Sequence, residues 1–403
     1  KKYFLSVLCC IIKKGLGENM RKSICLLPLA FGTFGLGLTE YGMMGILPDV
    51  AKTMKVSIPL AGNFISLYAL GVVAGSILLV LFSRKQPLKN ILLVLATIFT
   101  VANLLSSVAN NYYVLCALRF IAGLPHGAFF GVGAIVASKL ASKDKGSQAV
   151  ATMCSGMTFA NLAGIPFGTY LSHDYSWRLF FLIIGLFGFI VFASIKKLVP
   201  QVAPLPDTGF RGQFKFLKSL APWLLILAVI LGNGGIFCWY SYINPLLVNL
   251  SGIKPALVSS LMIFAGAGMV IGNFMGGKLA DKFKPSIVAG YTQLLAAIAL
   301  VGIFFFGKNP IISVCLMTIC TGCLFAVSAP QQVLLIKNAK GGEILGASCS
   351  QMSFNLGNAI GAFVGGIPIA HGLGYQYVAF PGAILAFIGF LTLFYFYKRY
   401  ECA

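Results

Sequence analysis

Apolar runs of membrane-crossing length alternate along this chain with short basic or Gly/Pro-rich breaks. Twelve such runs stand out, at 24–47, 60–82, 90–108, 113–138, 147–171, 177–195, 221–248, 256–279, 286–306, 310–336, 344–370 and 376–397. A helix needs about 20 apolar residues to cross the hydrocarbon core of a bilayer. Helices and closed barrels are the structures that satisfy every backbone group there. The pattern predicts an all-α membrane protein of twelve transmembrane helices. One long polar gap, Lys196 to Lys218 with Pro200, Pro204, Pro206 and Asp207, divides the runs into two sets of six. The expected boundaries are a first six-helix bundle at 20–196, a linker at 197–219, a second bundle at 220–398 and a tail at 399–403.

The two sets repeat. A shift of 197 residues lays Pro48 on Pro245, Gly71 on Gly268, Gly75 on Gly272 and Lys85 on Lys282 without a gap. A parallel repeat of two six-span halves is a transporter layout in which solute binds between the halves, near the bilayer midplane. Residues 1–19 stand apart. Lys1-Lys2 followed by the apolar stretch 3–12 resembles the start of a signal peptide, yet the stretch is short and no small-residue cleavage site follows. Met20-Arg21-Lys22 reads as the natural start, so 1–19 is expected to be a non-native or upstream extension.

Composition removes most other classes. The chain is 58% hydrophobic and 10% charged, with a mean hydropathy of +0.91, whereas soluble domains carry about 25% charged residues. A net charge of +21 would suggest nucleic acid in a soluble protein. Here the basic residues lie in short gaps between spans and read as orientation signals. The N-terminus, Arg84-Lys85, Lys139 to Lys145, the long gap, Lys278 to Lys284, Lys337, Lys340 and Lys398-Arg399 share one side; Lys52, Lys55, Arg178, Lys254 and Lys308 share the other. Both termini are therefore expected in the cytoplasm. No nucleic-acid partner is expected. Of the eleven cysteines, Cys320 and Cys323 stand in a CxxC spacing inside the tenth apolar run with no His at metal spacing, and the set reads as small buried hydrophobes. No nucleophile–base cluster, metal set or phosphate loop suggests an enzyme.

Two ionisable groups fall inside spans. Arg119 lies in the fourth run, at a cost of at least ~2.5 kcal/mol by insertion scales, and such residues mark substrate or ion paths. His126 is two helical turns further along the same face, and Gly123, Gly127 and Gly131 form a smooth second face. Glu40 is the acid placed inside a span. It is eight residues, about 12 Å, from Pro48, while Arg119 is six residues, about 9 Å, from Tyr113, so the two share a similar depth. Isolation in a low-dielectric cavity favours a neutral carboxyl, and a nearby Arg favours the ionised one. Glu40 and Arg119, with His126, can form a proton-coupling group or a static clamp. Tyr41, Asn103, Asn161, Asn233, Trp239, Tyr240, Tyr242, Asn244, Gln331 and Asn355 are candidates to line a cavity, with Asn63, Gln293, Gln332 and Asn358 further polar positions in the spans. Rings interleaved with amides suit a sugar-like or mixed polar–aromatic solute, although polar residues in membranes also bond simply to neighbouring helices. Asp174 and Arg178 bracket the start of the sixth span as a cap, and His173 and His371 belong near an outer surface.

Several motifs resemble the major facilitator superfamily. Gly277-Lys278-Leu279-Ala280-Asp281-Lys282 is similar to its G-x-L-A-D-R loop, with Gly277, Asp281 and Lys282 in the conserved roles. The first-half counterpart is degenerate: it keeps Lys85 but has Arg84 in place of the acid. Arg119-x-x-x-Gly123 resembles the fourth-span motif. Gly156 to Gly168, with Gly164-Ile165-Pro166, resembles the fifth-span motif of antiporters, where Gly and Pro permit close packing and a kink. That motif can be conformational or purely packing. Phe34-Gly35, Gly37, Thr39-Glu40-Tyr41, Tyr68-Ala69-Leu70-Gly71 and Pro125-His126-Gly127 narrow the likeness to the drug:proton antiporter branch, from about residue 21 to 398. The resemblance implies two pseudo-symmetric six-helix bundles. It also implies proton-coupled efflux of a small organic solute, sugar-like or drug, by alternating access, with a proton gradient and no cofactor or metal, and a monomer in the lipid bilayer. Two rivals stay open: a proton-linked importer or uniporter of a sugar-like solute, and a transport-dead membrane sensor.

Overall fold

In a computed structural model, residues 18–82, 86–140, 146–203, 215–339 and 343–402 are described. Most of the 1–19 extension and Lys85 lie outside them. Side chains at 18–23, 79–82, 146–148, 281, 343–345 and 347 are likewise outside the description. Among the described residues, twelve helices are long and apolar enough to cross a membrane. In order they are Ile24–Met54, Ile58–Leu78, Leu88–Ser107, Tyr112–Leu140, Ala149–Asp174, Trp177–Leu198, Leu220–Tyr240, Pro255–Ala280, Pro285–Phe306, Pro310–Asn338, Ser348–Ala370 and Tyr375–Tyr400. No strand is found among the described residues. We call these spans first to twelfth; they form the two six-helix bundles. The side bearing most of the basic loops is the basic face, and the other is the opposite face.

Local chemistry accounts for the helix ends. Pro255, Pro285 and Pro310 open their helices, where a missing N–H costs nothing. Asn309 caps the tenth span, its Oδ1 accepting from the backbone N–H of Ile311 at 3.0 Å and Ile312 at 3.2 Å. The sixth span is capped by Ser176, whose hydroxyl accepts from Arg178 N at 3.2 Å. The expected Asp174–Arg178 cap is not formed: Asp174 faces His173 at 2.7 Å, and Arg178 Nη2 donates to Ala109 O at 2.7 Å. Asp174 ends the preceding helix, so Ser176 holds the N-cap position, and the Arg178 side chain has no acceptor to offer there. The first helix runs on past Pro48 to Met54 because Val50 and Ala51 are buried there. This brings a second acid, Asp49, into a span, where its Oδ2 accepts from Ser172 Oγ at 2.6 Å.

Prolines place the breaks that hydropathy does not reveal. A proline cannot donate to the carbonyl four residues back, and its ring crowds that carbonyl. Pro166 follows a π-helical turn at Ala160–Gly164, in which Ile165 N donates to Ala160 O. The π turn lies within the fifth-span motif, just before its proline. Pro245 stands four residues after Ser241, in the turn that separates Leu220–Tyr240 from Ile243–Asn249. Pro330 stands three residues after Val327, where the tenth span breaks into Pro310–Ala326 and Ser328–Asn338. Irregular backbone of this kind persists in membranes where neighbouring helices cover it.

The repeat is visible in packing. A Cβ added at Gly71 or Gly75 of the second span would fall on the carbonyl oxygens of Phe120 and Leu124 in the fourth. Added at Gly268 or Gly272 of the eighth, it would fall on those of Thr318 and Gly322 in the tenth. The partners are thus related by a shift of 198, within one residue of the shift that relates the glycines. Close backbone approach through small residues is how membrane helices associate without a hydrophobic drive. Gly123 and Gly127 complete this contact from the fourth span, while Gly131 is exposed. We predict that Gly75→Val or Gly272→Val destabilises the purified protein by about 1–3 kcal/mol, the usual cost of overpacking. Gly277→Ala, with nothing within 4 Å of its added Cβ, should be neutral or mildly stabilising. Thermal unfolding in detergent checks both.

Candidate functional site

The first span carries Glu40 to the place where the two halves meet, and the residue is 6% exposed. Its Oε1 accepts from Asn358 Nδ2 of the eleventh span at 3.2 Å. Its Oε2 lies 3.7 Å from His126 Nε2 of the fourth span. The polar chain extends both ways. Asn233 Nδ2, from the seventh span, donates to Asn358 Oδ1 at 2.8 Å. Tyr68 OH, from the second span, is 2.9 Å from His126 Nδ1. The His126 ring stacks on Phe130 with centroids 5.2 Å apart. Helices pack these groups together because hydrocarbon offers no partner for a polar side chain.

Arg119 is fully buried beside this chain. Its Nη1 donates to Thr39 O at 2.9 Å and its Nε to Phe64 O at 3.2 Å. Its Cζ sits 4.4 Å from the Tyr68 ring centroid and 5.8 Å from that of Phe181. The similar depth of Glu40 and Arg119 is evident, since Thr39 adjoins Glu40. The static Glu–Arg clamp is not the arrangement found. The cation on the fourth span that comes within 4.0 Å of the Glu40 carboxyl is His126, if charged. Arg119 instead binds main-chain carbonyls and an aromatic face, leaving Nη2 without a protein partner.

The expected lining residues fall into two groups. Asn103, Tyr242 and Asn244 spend hydrogen bonds on the protein itself. Asn103 Nδ2 donates to Phe99 O at 2.8 Å, Tyr242 OH to Ala362 O at 2.7 Å, and Asn244 Nδ2 to Gly45 O across the halves. The others keep buried polar atoms free of protein partners: both amide atoms of Asn161 and of Gln331, Asn233 Oδ1, Trp239 Nε1, Tyr240 OH and Asn355 Oδ1. Unmet groups of this kind each carry a desolvation cost of about 1–3 kcal/mol. Tyr41 adds an aromatic wall, its ring centroid 6.2 Å from Phe237, 6.2 Å from Tyr240 and 5.8 Å from Phe325.

The halves are joined between Glu40 and the opposite face. Besides Asn244 to Gly45, Ser66 Oγ donates to Ala359 O at 3.0 Å. The Tyr242 hydroxyl fills the space a Cβ would take at both Gly62 and Gly366. In the fifth-span motif, Gly156 lies against Ala30 O and Gly164 against Leu38, which closes that span onto the first. Asn161, in the π turn beside Pro166, backs onto Gly266 of the eighth span. Of the loop motif, Lys282 ends its helix exposed and Gly277 faces open space; the Asp281 side chain and Lys85 are outside the described residues. Among the described residues no three His, Cys, Asp or Glu side chains gather as a metal site would require. Sequence reasoning gives Tyr68 only as a motif letter and Asn358 only as one of many polar positions. A hydrogen-bonding side chain on an otherwise apolar helix is the one signal either carries.

Twelve membrane-crossing helices in two repeat-related bundles, with polar groups gathered where the bundles meet, define a multi-pass membrane transporter. Residues 29–348 match the family described as the Major Facilitator Superfamily, and the chain belongs to it. It is 45% identical to the Escherichia coli (strain K12) protein named "Putative transporter AraJ", over 94% of this chain and 96% of that one. It is 28% identical to the "Probable sugar efflux transporter" of Helicobacter pylori (strain J99), over 91% of this chain and 92% of that one. The solved structure of a bacterial homologue of the human lysosomal transporter Spinster, inward-facing and unoccupied, shares the fold. Its TM-score is 0.73 at 16% identity, covering 96% of this chain and 99% of that one.

The repeat offers a direct test of what Arg119 does for stability. At the shift of 198 its counterpart is Met317, fully buried. The carbonyls of Thr39 and Phe64 lie inside helices and keep their helical donors when the guanidinium is removed. We predict that Arg119→Met keeps stability within about 1.5 kcal/mol, as a volume-conserving exchange of a buried charge. Arg119→Ala should lose about 2–5 kcal/mol to the cavity it leaves. Equal losses in denaturant unfolding would show that the guanidinium hydrogen bonds, not volume, hold the helices.

Proposed function

We propose that this transporter exports a small organic solute in exchange for protons, exposing one central site alternately to the two faces. The observation that carries this reading is the Glu40 carboxyl. It is buried at the junction of the halves, held by Asn358 of one half, faced by His126 of the other, and not locked to Arg119. An uncompensated carboxylate in a closed low-dielectric site is costly, and the neutral acid is not. Glu40 therefore takes a proton on the opposite face, carries it through the closed state and gives it up at the basic face. Opening the opposite face requires the Ser66–Ala359 and Asn244–Gly45 bonds to break, and Glu40 then parts from Asn358 as the halves separate. Arg119 holds the first, second and fourth spans as a unit beside the carboxyl and tunes its charge.

The unmet amide, indole and phenol groups support an uncharged, hydroxyl-bearing cargo bounded by aromatic rings, either sugar-like or an amphipathic drug. The name of the Helicobacter relative supports the sugar-like class and outward movement. The fifth-span motif and the charge pattern support efflux through a bacterial inner membrane with both termini in the cytoplasm. The test is transport of a panel of sugars and amphipathic drugs in proteoliposomes under an imposed proton gradient. Glu40→Gln should lose proton-driven accumulation at least about tenfold, the cost of one lost charge-assisted interaction, while retaining exchange down a solute gradient. Undiminished coupling would remove Glu40 from this role. Accumulation in the direction of proton flow would favour a proton-linked importer.

A further inference from the structure

The hydrogen-bonding pattern around His126 is not neutral to the state of Glu40. Nδ1 is 2.9 Å from Tyr68 OH, and Nε2 is 3.7 Å from Glu40 Oε2. A neutral imidazole has one donor nitrogen and one acceptor nitrogen. When Glu40 is ionised, both its oxygens are acceptors. Asn358 Nδ2 serves Oε1, so the favourable ring places its hydrogen on Nε2, toward Oε2, and accepts the Tyr68 hydroxyl hydrogen at Nδ1. When Glu40 holds a proton on Oε2, that arrangement sets two hydrogens against each other. The compatible ring carries its hydrogen on Nδ1, accepts from Oε2 at Nε2, and turns Tyr68 from donor to acceptor.

We infer that His126 is a tautomeric relay that passes the protonation state of Glu40, on the first span, to the hydroxyl of Tyr68, on the second. Tyr68 is then a positioning residue for the proton-coupled cycle. The proposal rests on the reading of Glu40 as the proton carrier. The balance is one proton. A proton supplied by water joins the Tyr68–His126–Glu40 chain; once Nε2 and Oε2 close from 3.7 Å to hydrogen-bond distance, the Nε2–H bond breaks as Oε2–H forms, and Nδ1–H forms. Tyr68 keeps its hydroxyl. The three groups together pass from one negative charge to none. The setting favours such a switch. Tyr68 is 1% and His126 3% exposed, so solvent does not substitute for the missing partner. Phe130 stacks on the ring and opposes its rotation, which leaves tautomer exchange as the available response. Other charged or titratable groups near Glu40 are Arg119 on the fourth span, Tyr41 on the first and Tyr240 on the seventh; Tyr41 and Tyr240 have ring centroids 6.2 Å apart.

The tautomer can be read directly. Full-length protein labelled with 15N-histidine, in lipid nanodiscs, gives distinct nitrogen shifts for the Nδ1–H, Nε2–H and doubly protonated rings. His126→Gln identifies the buried signal against exposed His173 and His371. Across a titration from about pH 9 to about pH 5, His126 should change from Nε2–H to Nδ1–H. Glu40→Gln, permanently uncharged, should remove the switch. Tyr68→Phe keeps the ring against Arg119 but not the hydroxyl. It should displace the midpoint by about half to one pH unit, the equivalent of one hydrogen bond. A single tautomer throughout, a doubly protonated ring at low pH, a switch that survives in Glu40→Gln, or an unmoved midpoint in Tyr68→Phe would each overturn the relay. The spectra need no cargo. Lost coupling in Glu40→Gln, with no tautomer switch in the unsubstituted protein, would sink the relay alone; a clear switch in the unsubstituted protein, with undiminished coupling in Glu40→Gln, would sink the proton-carrier role alone.

Discussion

Hydrocarbon supplies no hydrogen-bond partner, and the centre of this molecule is organised by that fact. Glu40 can be buried only because an amide and an imidazole, from opposite halves, converge on its two oxygens. Those partners need partners of their own, which draws in Asn233 and Tyr68. Five spans are thereby committed to one polar thread, and that thread crosses the junction between the bundles. Arg119 meets the same constraint differently, by donating to main-chain carbonyls and lying on an aromatic face. The guanidinium then stiffens its own bundle and leaves the carboxyl to respond to the other one.

The junction itself is built from contacts that a rigid-body movement can break together. Small residues at 62, 266 and 366 let the halves approach to van der Waals distance, and single hydrogen bonds at Ser66 and Asn244 fix the register. Neither kind of contact is individually strong. Within each half, by contrast, glycines at 71, 75, 268 and 272 bring helix backbones into continuous contact. A seam of small residues and single hydrogen bonds suits a transporter that rocks one half against the other.

Much of this was legible in the chain. Span positions follow from hydropathy alone, and the repeat follows from a handful of glycines and prolines, because both are local or periodic signals. Glu40, Arg119 and His126 were conspicuous because ionisable groups in apolar helices are rare. What the sequence did not reveal is tertiary. The π turn before Pro166 and the break before Pro245 depend on which neighbour covers the freed backbone; Pro125, inside an equally apolar helix, causes no break. That His126 and not Arg119 faces the Glu40 carboxyl goes with the guanidinium's bonds to the Thr39 and Phe64 carbonyls, which only the packed helices bring into place. Asn358 is one amide among many until the eleventh span is docked. The separation of Asn103, Tyr242 and Asn244, bonded within the protein, from Asn161 and Gln331, which are not, likewise requires the packed structure.

The duplicated architecture is chemically lopsided. At the shifts that superpose the halves, Glu40, Tyr68, Arg119 and His126 correspond to Phe237, Ala265, Met317 and Leu324, all buried and none ionisable. One half carries the buried acid, guanidinium, imidazole and phenol, while the other offers apolar counterparts with amides at the seam. Labour divided in this way frees the second half to vary. Its rings and amides can change without rebuilding the polar quartet next door, because none of the four has a counterpart there on which it depends.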